Sequence, residues 1–274
     1  MLTLFTTLCL SLAMAQDRGA RGDDAAFDPN ANETYVPAPK NALSYTNATF
    51  ARVNPLGFVD LFRLGWKRRL STKDSLLFRD TYTFAGLNIM ATPAYTRVGV
   101  YTEAQLLAIF RVFGEYNVVG YYGTFDQVMS WDDPAARFSD QTIAARGAFG
   151  ATVGTVANLG ATLRAAVGPV AIRSTAQVTR YDLDLPDGDV VFYDQFWDRL
   201  APDQGWMVLN DVDVLLLADK ARIGVRHTFT DQLGGTPGTD GTIAQHRVGP
   251  LLAYQFKDSP RGTRFNQPTA FLVV

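Results

Sequence analysis

Cysteine, glutamate and lysine are scarce in this 274-residue chain, which has one cysteine, three glutamates and five lysines. A single cysteine excludes an internal disulfide framework. Glutamate and lysine favour helices, so their scarcity beside frequent Asp, Thr, Tyr and Phe indicates a chain built from strands. No run of about 18 apolar residues follows the N-terminal region, which excludes a transmembrane helix there.

Charge and apolar content exclude two further classes of protein. Lys and Arg number 25 against 27 Asp and Glu, a net charge of −2, so the chain has no overall electrostatic attraction to nucleic acid. Hydrophobic residues make up 47% and aromatic residues 12%, which excludes a disordered chain. The length suits one large domain or two small ones.

The first residues have the pattern of an export signal. An apolar stretch over residues 2–12 precedes the small-x-small sequence Ala13-Met14-Ala15, which predicts a signal peptide over residues 1–15. A buried N-terminal strand or helix is the alternative. Cys9 lies inside this segment, so the processed chain would have no thiol nucleophile and no Cys-ligated metal. Residues 16–53 are then predicted as a disordered tether, and residues 54–274 as the folded domain.

About ten long runs separated by turn chemistry follow the tether. Turns are predicted at 71–75, 92–93, 114–117, 158–160 and 185–189, among others. The candidate strands cover residues 56–70, 76–90, 94–112, 118–131, 141–157, 160–181, 206–218, 220–230, 242–256 and 267–274.

Within several runs one face is apolar and the other is small or polar with a recurrent arginine. A soluble β-sandwich would show the same alternation with its apolar faces packed together. The length of the runs and the aromatic residues near their ends favour the inverted arrangement, in which apolar faces meet lipid. If the sheet closes in this arrangement, its polar faces enclose a lumen. The candidate lumen-lining residues are then Arg79, Arg97, Arg146, Arg173, Arg222, Arg226 and Arg247.

The export signal, the cysteine-free processed chain, the long alternating strands and the exchange of short turns with longer loops resemble bacterial outer-membrane β-barrels. The resemblance implies an all-β, transmembrane, antiparallel up-and-down barrel of about 10–12 strands, with residues 16–53 in the periplasm. Such barrels usually finish on a strand ending in Phe or Trp, whereas this chain finishes at Phe271-Leu272-Val273-Val274. A truncated C-terminus is therefore also expected.

The function expected from this resemblance is passive passage of small polar or anionic solutes through the lumen, in contact with outer-membrane lipid. No catalytic residue, cofactor or metal is expected, and no nucleic-acid partner. Two alternatives remain: a lipid-modifying enzyme of the outer membrane, and a closed structural or adhesive barrel that binds through its loops. An arginine-lined lumen favours anions, but ion pairs filling a narrow barrel explain the same residues.

Two other groups of residues are candidate functional sites. His227 and His246 fall on the apolar faces of neighbouring predicted strands, where they suit a metal pair, a base for lipid hydrolysis or simple packing. A hydrolase would need a serine beside the histidine, and no serine is close in sequence. Four aspartates at 182, 184, 187 and 189 surround Gly188, which is first of all turn chemistry and only secondarily a calcium loop.

Overall fold

In the computed structural model of this chain, the residues described are 7–9, 39–53, 56–73, 75, 77–78, 81–124, 128–137, 139–146, 150–218, 220–233, 244–255 and 269–273. Arg79 lies outside them, as do residues 10–38, which include most of the predicted tether.

The described residues form fifteen strands and one short helix. The first strands are β1 (Thr7–Cys9), β2 (Asn41–Val53), β3 (Leu56–Arg69), β4 (Tyr82–Ala91), β5 (Tyr95–Leu107), β6 (Phe110–Tyr121) and β7 (Ser130–Trp131). Helix α1 (Asp140–Arg146) follows, then β8 (Thr152–Val167), β9 (Val170–Leu183), β10 (Val191–Asp194), β11 (Arg199–Pro202), β12 (Trp206–Ala218), β13 (Ala221–Leu233), β14 (Gln245–Gln255) and β15 (Thr269–Val273).

Twelve strands form one large antiparallel sheet in the order β1-β15-β14-β13-β12-β9-β8-β6-β5-β4-β3-β2. Apart from β1, each strand pairs with its neighbour along the chain once β7, β10 and β11 are set aside, which is an up-and-down arrangement. The predicted all-β, antiparallel class is therefore confirmed. Among the residues described, no helix has the length and apolarity needed to cross a membrane.

The two faces of the large sheet differ in chemistry. Side chains on one face are apolar and open, such as Val118 and Leu159, each 59% exposed, and Val248, which is 71% exposed. Side chains on the other face are covered and of mixed chemistry: polar ones such as Asn88 and Asp213, each 1% exposed, lie beside apolar ones such as Val119 and Val156, which are fully buried. We call these the exposed face and the covered face. In a soluble sandwich the apolar side chains of the exposed face would instead be packed against a second layer.

The two ends of the large sheet also differ. At one end the connections 108–109 and 168–169 are two-residue hairpin turns, and we call it the hairpin end. At the other end, segments 122–151 and 184–205 are inserted between strands, and we call it the insert end. The two inserts supply the strands of a small second sheet in the order β11-β10-β7.

This small sheet, the insert sheet, packs against the covered face. Phe192 and Ala201 of the insert sheet are fully buried in one apolar cluster with Val119, Val156 and Tyr181 of the large sheet. Burial of apolar surface at this contact stabilises the inserts on the sheet. One end of the covered face is therefore occupied by the chain itself.

Several predicted strands are confirmed, but two predicted turns are wrong. Segments 114–117 and 158–160 contain turn-forming residues, yet they lie inside β6 and β8. Asn158 uses its side chain on the covered face, where it donates a hydrogen bond to Glu115. A Cβ added to Gly160 would lie 2.3 Å from Cζ of Phe113, so this glycine makes room for the Phe113 ring.

The predicted strand 141–157 is also wrong in its first part. Residues Asp140–Arg146 form α1, and only from Thr152 does the chain enter β8. Ser139 precedes the helix, and its Oγ accepts a hydrogen bond from the backbone N–H of Thr142 at 3.4 Å. Serine caps a helix N-terminus in this way, and the Ala-Ala-Arg sequence favours a helix over a strand.

The N-terminal assignments need one correction and one qualification. Residues 41–53, predicted as part of the tether, form β2 and pair with β3 over the whole strand. The alternating side chains of this segment are less apolar than those of later strands, so the sequence pattern did not predict a strand here. Within the predicted signal peptide, Thr7–Cys9 forms β1 and pairs with Phe271–Val273.

Candidate functional site: charged clusters on the covered face

Three groups of charged and polar side chains lie on the covered face. They occupy the insert end, the middle of β4 to β8, and the strands β8 to β13 nearer the hairpin end. Two glutamates, Glu103 and Glu115, belong to the second group, although the chain has only three. Buried polar groups at this density must satisfy one another's hydrogen bonds and charges.

At the insert end, Asp194 of the insert sheet meets aromatic and basic side chains of the large sheet. Its Oδ2 accepts a hydrogen bond from the Tyr181 hydroxyl at 2.5 Å, and Nη2 of Arg97 lies 4.0 Å away. The Arg97 guanidinium also lies 5.0 Å from the ring of Tyr95. Asp194 and Arg97 are 3% and 6% exposed, so this contact attaches the insert to the sheet away from solvent.

Arg97 is incompletely paired in this cluster. Within the part of the chain that the structure describes, its Nε and Nη2 atoms are buried without a hydrogen-bond acceptor. Charge attraction to Asp194 and the facing tyrosine rings partly offset the cost of burying the guanidinium.

The middle group is a network of amides and carboxylates. Asn88 accepts a hydrogen bond from Nε of Arg63 at 3.0 Å and donates to Asn117 at 3.1 Å and Glu115 at 3.2 Å. Glu115 also accepts a hydrogen bond from Asn158 at 2.5 Å. The network around this one carboxylate thus joins four strands, β3, β4, β6 and β8, an arrangement that fixes their register.

The third group is centred on Asp213, whose carboxylate accepts four hydrogen bonds from two arginines. Arg173 donates from Nε at 2.9 Å and from Nη2 at 2.6 Å. Arg226 donates from Nε at 2.7 Å and from Nη2 at 3.0 Å. Asp213 is 1% exposed, whereas the side chains of Arg173 and Arg226 are 34% and 26% exposed. The carboxylate is therefore covered by guanidinium groups that remain in contact with solvent.

Five of the predicted lumen-lining arginines lie on strands of the large sheet, at covered-face positions: Arg97, Arg173, Arg222, Arg226 and Arg247. Arg247 lies against the second insert, since its Nη2 donates to the backbone oxygen of Asp198 at 3.0 Å.

Arg146 does not lie on a strand, contrary to the predicted strand 141–157. It is the last residue of α1, where its Nε donates to the backbone oxygen of Ser130 at 2.9 Å. Its Nη2 forms an ion pair with Asp189 at 3.2 Å. Arg146 therefore joins the two inserts to each other. Arg79 lies outside the described residues.

Sequence reasoning missed Arg164, which lies on the covered face directly opposite Arg173. The prediction treated residues 160–181 as one strand, in which positions 164 and 173 fall on opposite faces. The chain instead turns at Gly168, whose φ is +58°, and Pro169. Because Val167 pairs with Val170, the hairpin brings even positions of β8 and odd positions of β9 to the same face.

The two histidines lie side by side on the exposed face. Nε2 of His227 is 3.1 Å from Nδ1 of His246, and the rings are stacked with centroids 5.3 Å apart. Ser174 of β9 lies on the same face, in register with His227 but separated from it by Val212 of β12, and accepts a hydrogen bond from Asn210 at 3.0 Å. The ring of His246 also lies 5.0 Å from the ring of Phe229, so the structure shows a packing contact at this position.

The aspartate-rich turn is a hydrogen-bonded turn that also anchors the inserts. The backbone N–H of Asp189 donates to the oxygen of Pro186 at 3.0 Å, and Gly188 has a φ of +91°. Asp189 accepts from Ser130 and pairs with Arg146. Over the residues described, no group of three or more His, Cys, Asp or Glu side chains is placed to hold a metal ion.

No protein-family model, no curated protein and no solved structure matches this chain. The functional conclusion therefore depends on the geometry of the sheet and its charged groups.

Proposed function

We infer that this chain is an outer-membrane β-barrel that lets small polar or anionic solutes pass through its interior. In this proposal the large sheet closes on itself, the covered face lines the lumen and the exposed face meets lipid. The inversion of the two faces carries the proposal, because open apolar side chains on every long strand suit lipid and not water.

Strand length and aromatic placement support a membrane position. Strands β2 to β6, β8, β9 and β12 to β14 are 10 to 16 residues long, and a tilted strand needs about 9–11 residues to cross a bilayer. On the exposed face, Phe58, Tyr122 and Trp206 lie towards the insert end. Trp66 and Tyr254, 65% and 48% exposed, lie towards the hairpin end. Aromatic residues at both margins of an apolar band are typical of membrane barrels.

The two edges of the sheet approach each other, which supports closure. β1 pairs with β15 and also has Cα atoms within 8 Å of β2.

However, β1 lies inside the predicted signal peptide, so cleavage after Ala15 would remove it and leave β15 to meet β2 directly. The signal peptide and β1 are competing assignments of the same residues. Mass spectrometry of the protein purified from membranes distinguishes them, because an N-terminus at Gln16 excludes β1 from the working barrel.

The charge of the covered face supports a preference for anions. Arginines outnumber carboxylates on this face, and a positive lumen lowers the energy of a passing anion. The arginines on the described strands of this face include Arg63, Arg69, Arg97, Arg111, Arg164, Arg173, Arg222, Arg226 and Arg247, and the carboxylates are Glu103, Glu115, Asp211 and Asp213.

A closed structural or loop-binding barrel is the second candidate, favoured by the insert sheet. Phe192 and Ala201 are fully buried against the covered face, so the inserts obstruct one end of the interior. Both candidates share the fold and the membrane position, and differ in whether solute passes the inserts.

Two measurements test the proposal on the full chain. A membrane-fraction band whose gel mobility changes on boiling is expected of a closed barrel. In planar lipid bilayers, stepwise conductance is expected of a channel. A heat-shifted band without conductance would favour the closed barrel. A soluble protein with no heat shift would contradict both candidates.

A further inference from the structure

Four charged residues stand directly opposite one another across four neighbouring strands of the covered face. Arg164 of β8 pairs with Arg173 of β9, Arg173 with Asp213 of β12, and Asp213 with Arg226 of β13. We call these four residues the arginine row. Side chains directly opposite on one face of antiparallel strands are in contact distance, so the row forms a continuous charged strip.

The arginine row has a surplus of positive charge. It contains three guanidinium groups and one carboxylate. The next carboxylate, Asp211, has its Oδ2 3.8 Å from Nη1 of Arg226 and accepts a hydrogen bond from the Thr228 hydroxyl at 2.5 Å. With Asp211 included, the strip contains three guanidinium groups and two carboxylates.

Hydroxyl groups lie beside the row, two residues further along the same strands. Thr162 and Thr175 face each other with their Oγ1 atoms 3.1 Å apart, and Thr175 stands opposite Asp211. Hydroxyls donate hydrogen bonds to oxyanions as guanidinium groups do, and they add no charge to be neutralised. The strip therefore combines charged and neutral donors.

Solvent reaches the two arginines that hold Asp213. About a third of the Arg173 side chain and a quarter of the Arg226 side chain are exposed, at 34% and 26%, whereas Arg164 is 7% exposed. A guanidinium has five N–H donors in a planar fork that matches the spacing of phosphate and carboxylate oxygens. Arg173 uses its Nε and one Nη atom on Asp213, so its second Nη atom takes no part in that contact.

We propose that the arginine row, with Thr175 beside it, is a binding site for small oxyanions on the covered face. The site deepens and rests on the proposed channel function, because it lies on the surface that solute would pass. Arg173 and Arg226 contact the anion. Arg164, which is opposite Arg173 and more buried, contributes positive charge without contacting the anion. Partial neutralisation by Asp213 keeps the binding weak enough for release, as conduction requires.

The test measures binding and conduction separately on the folded full chain. Isothermal titration calorimetry with inorganic phosphate, at constant ionic strength in detergent, reports binding. Planar-bilayer recordings with chloride, with and without phosphate, report conduction and block. The variant is Arg173→Gln, and the matched control is Arg180→Gln on the same strand but on the exposed face, over the ring of Trp206. Heat modifiability on gels checks that each variant has folded.

Phosphate binding by the unaltered protein, weakened about tenfold or more by Arg173→Gln and unchanged by Arg180→Gln, is the expected result, since one charge-assisted hydrogen bond is lost. Absence of phosphate binding by the unaltered protein overturns the site without any variant. Equal weakening by both variants overturns it as well. Conductance without phosphate binding would support the channel and contradict the binding site. Phosphate binding without conductance would support the binding site and contradict the channel.

Discussion

The two faces of the large sheet are built from the same strands and have opposite chemistry. On β8, Leu159 is open and apolar, while Thr162 and Arg164 are 0% and 7% exposed. Strand geometry imposes the alternation, but it does not decide which face is covered. Part of the covered face is covered by the inserts, through Phe192 and Ala201. The comparison shows that the same strands leave large apolar side chains exposed on one face while they bury charged and polar side chains beside an apolar cluster on the other.

The largest expected effect comes from putting a charge in the middle of the exposed face. Leu159→Arg should lower the free energy of unfolding in lipid vesicles by about 2–4 kcal/mol, since the arginine would lie at the bilayer midplane. Val167→Arg, on the same strand and face but at the hairpin end, should cost at most about 1 kcal/mol. Denaturant titration in vesicles measures both. Equal, small costs would show that this face does not meet lipid.

The second effect concerns the covered face. Asp213→Asn should destabilise the folded protein by about 2–3 kcal/mol, because two guanidinium groups lose their carboxylate and remain only partly exposed to water. Asp211→Asn removes a carboxylate that is 23% exposed and less enclosed, and should cost about 1 kcal/mol or less. The same vesicle titration compares them. If Asp211→Asn proved the more damaging, the central role of Asp213 would be refuted.

A third comparison uses one glycine from each face. A Cβ added to Gly99, on the covered face, would lie 1.9 Å from the backbone oxygen of Tyr116. A Cβ at Gly120, on the exposed face, meets no atom within 4 Å. Gly99→Ala should therefore cost about 1–3 kcal/mol through a forced backbone shift. Gly120→Ala should be neutral, and comparable losses for the two variants would contradict the close packing at Gly99.

The smallest effect is a pH dependence at the insert end, outside the long strands. Burial raises the pKa of Asp203 above its ordinary value of about 3.8, although its Oδ1 accepts a hydrogen bond from Leu183 N–H at 2.8 Å. The folded protein then holds this proton more tightly than the unfolded chain, so the contribution of Asp203 to stability increases as pH falls into the acid range and is lost as pH rises through the raised pKa. Unfolding titrations across that range, on the native chain and on Asp203→Asn, measure the difference. A native chain with the same pH slope as the variant would exclude this carboxyl as the source.

Alternation and turn chemistry predicted much of the fold. The strand 206–218 coincides with β12, and the face of His227 and His246 was assigned correctly as one surface. Turn predictions were wrong where a residue typical of turns instead contacts, or makes room for, a side chain that is adjacent in space. Asn158 and Gly160 read as a turn, but Glu115 and Phe113, some 43 and 47 positions away in the chain, give them their roles. Local patterns carry no information about such distant partners.

The sequence by itself determined that the chain forms long strands with one apolar and one polar face, because side chains alternate on any strand. Only the tertiary structure decided which polar residues meet. A single two-residue hairpin at Gly168-Pro169 brings Arg164 to Arg173, and the pairing of β9, β12 and β13 then adds Asp213 and Arg226 to the row. Register is set by contacts across the whole sheet, so a one-residue shift in one hairpin would turn Arg164 to the opposite face.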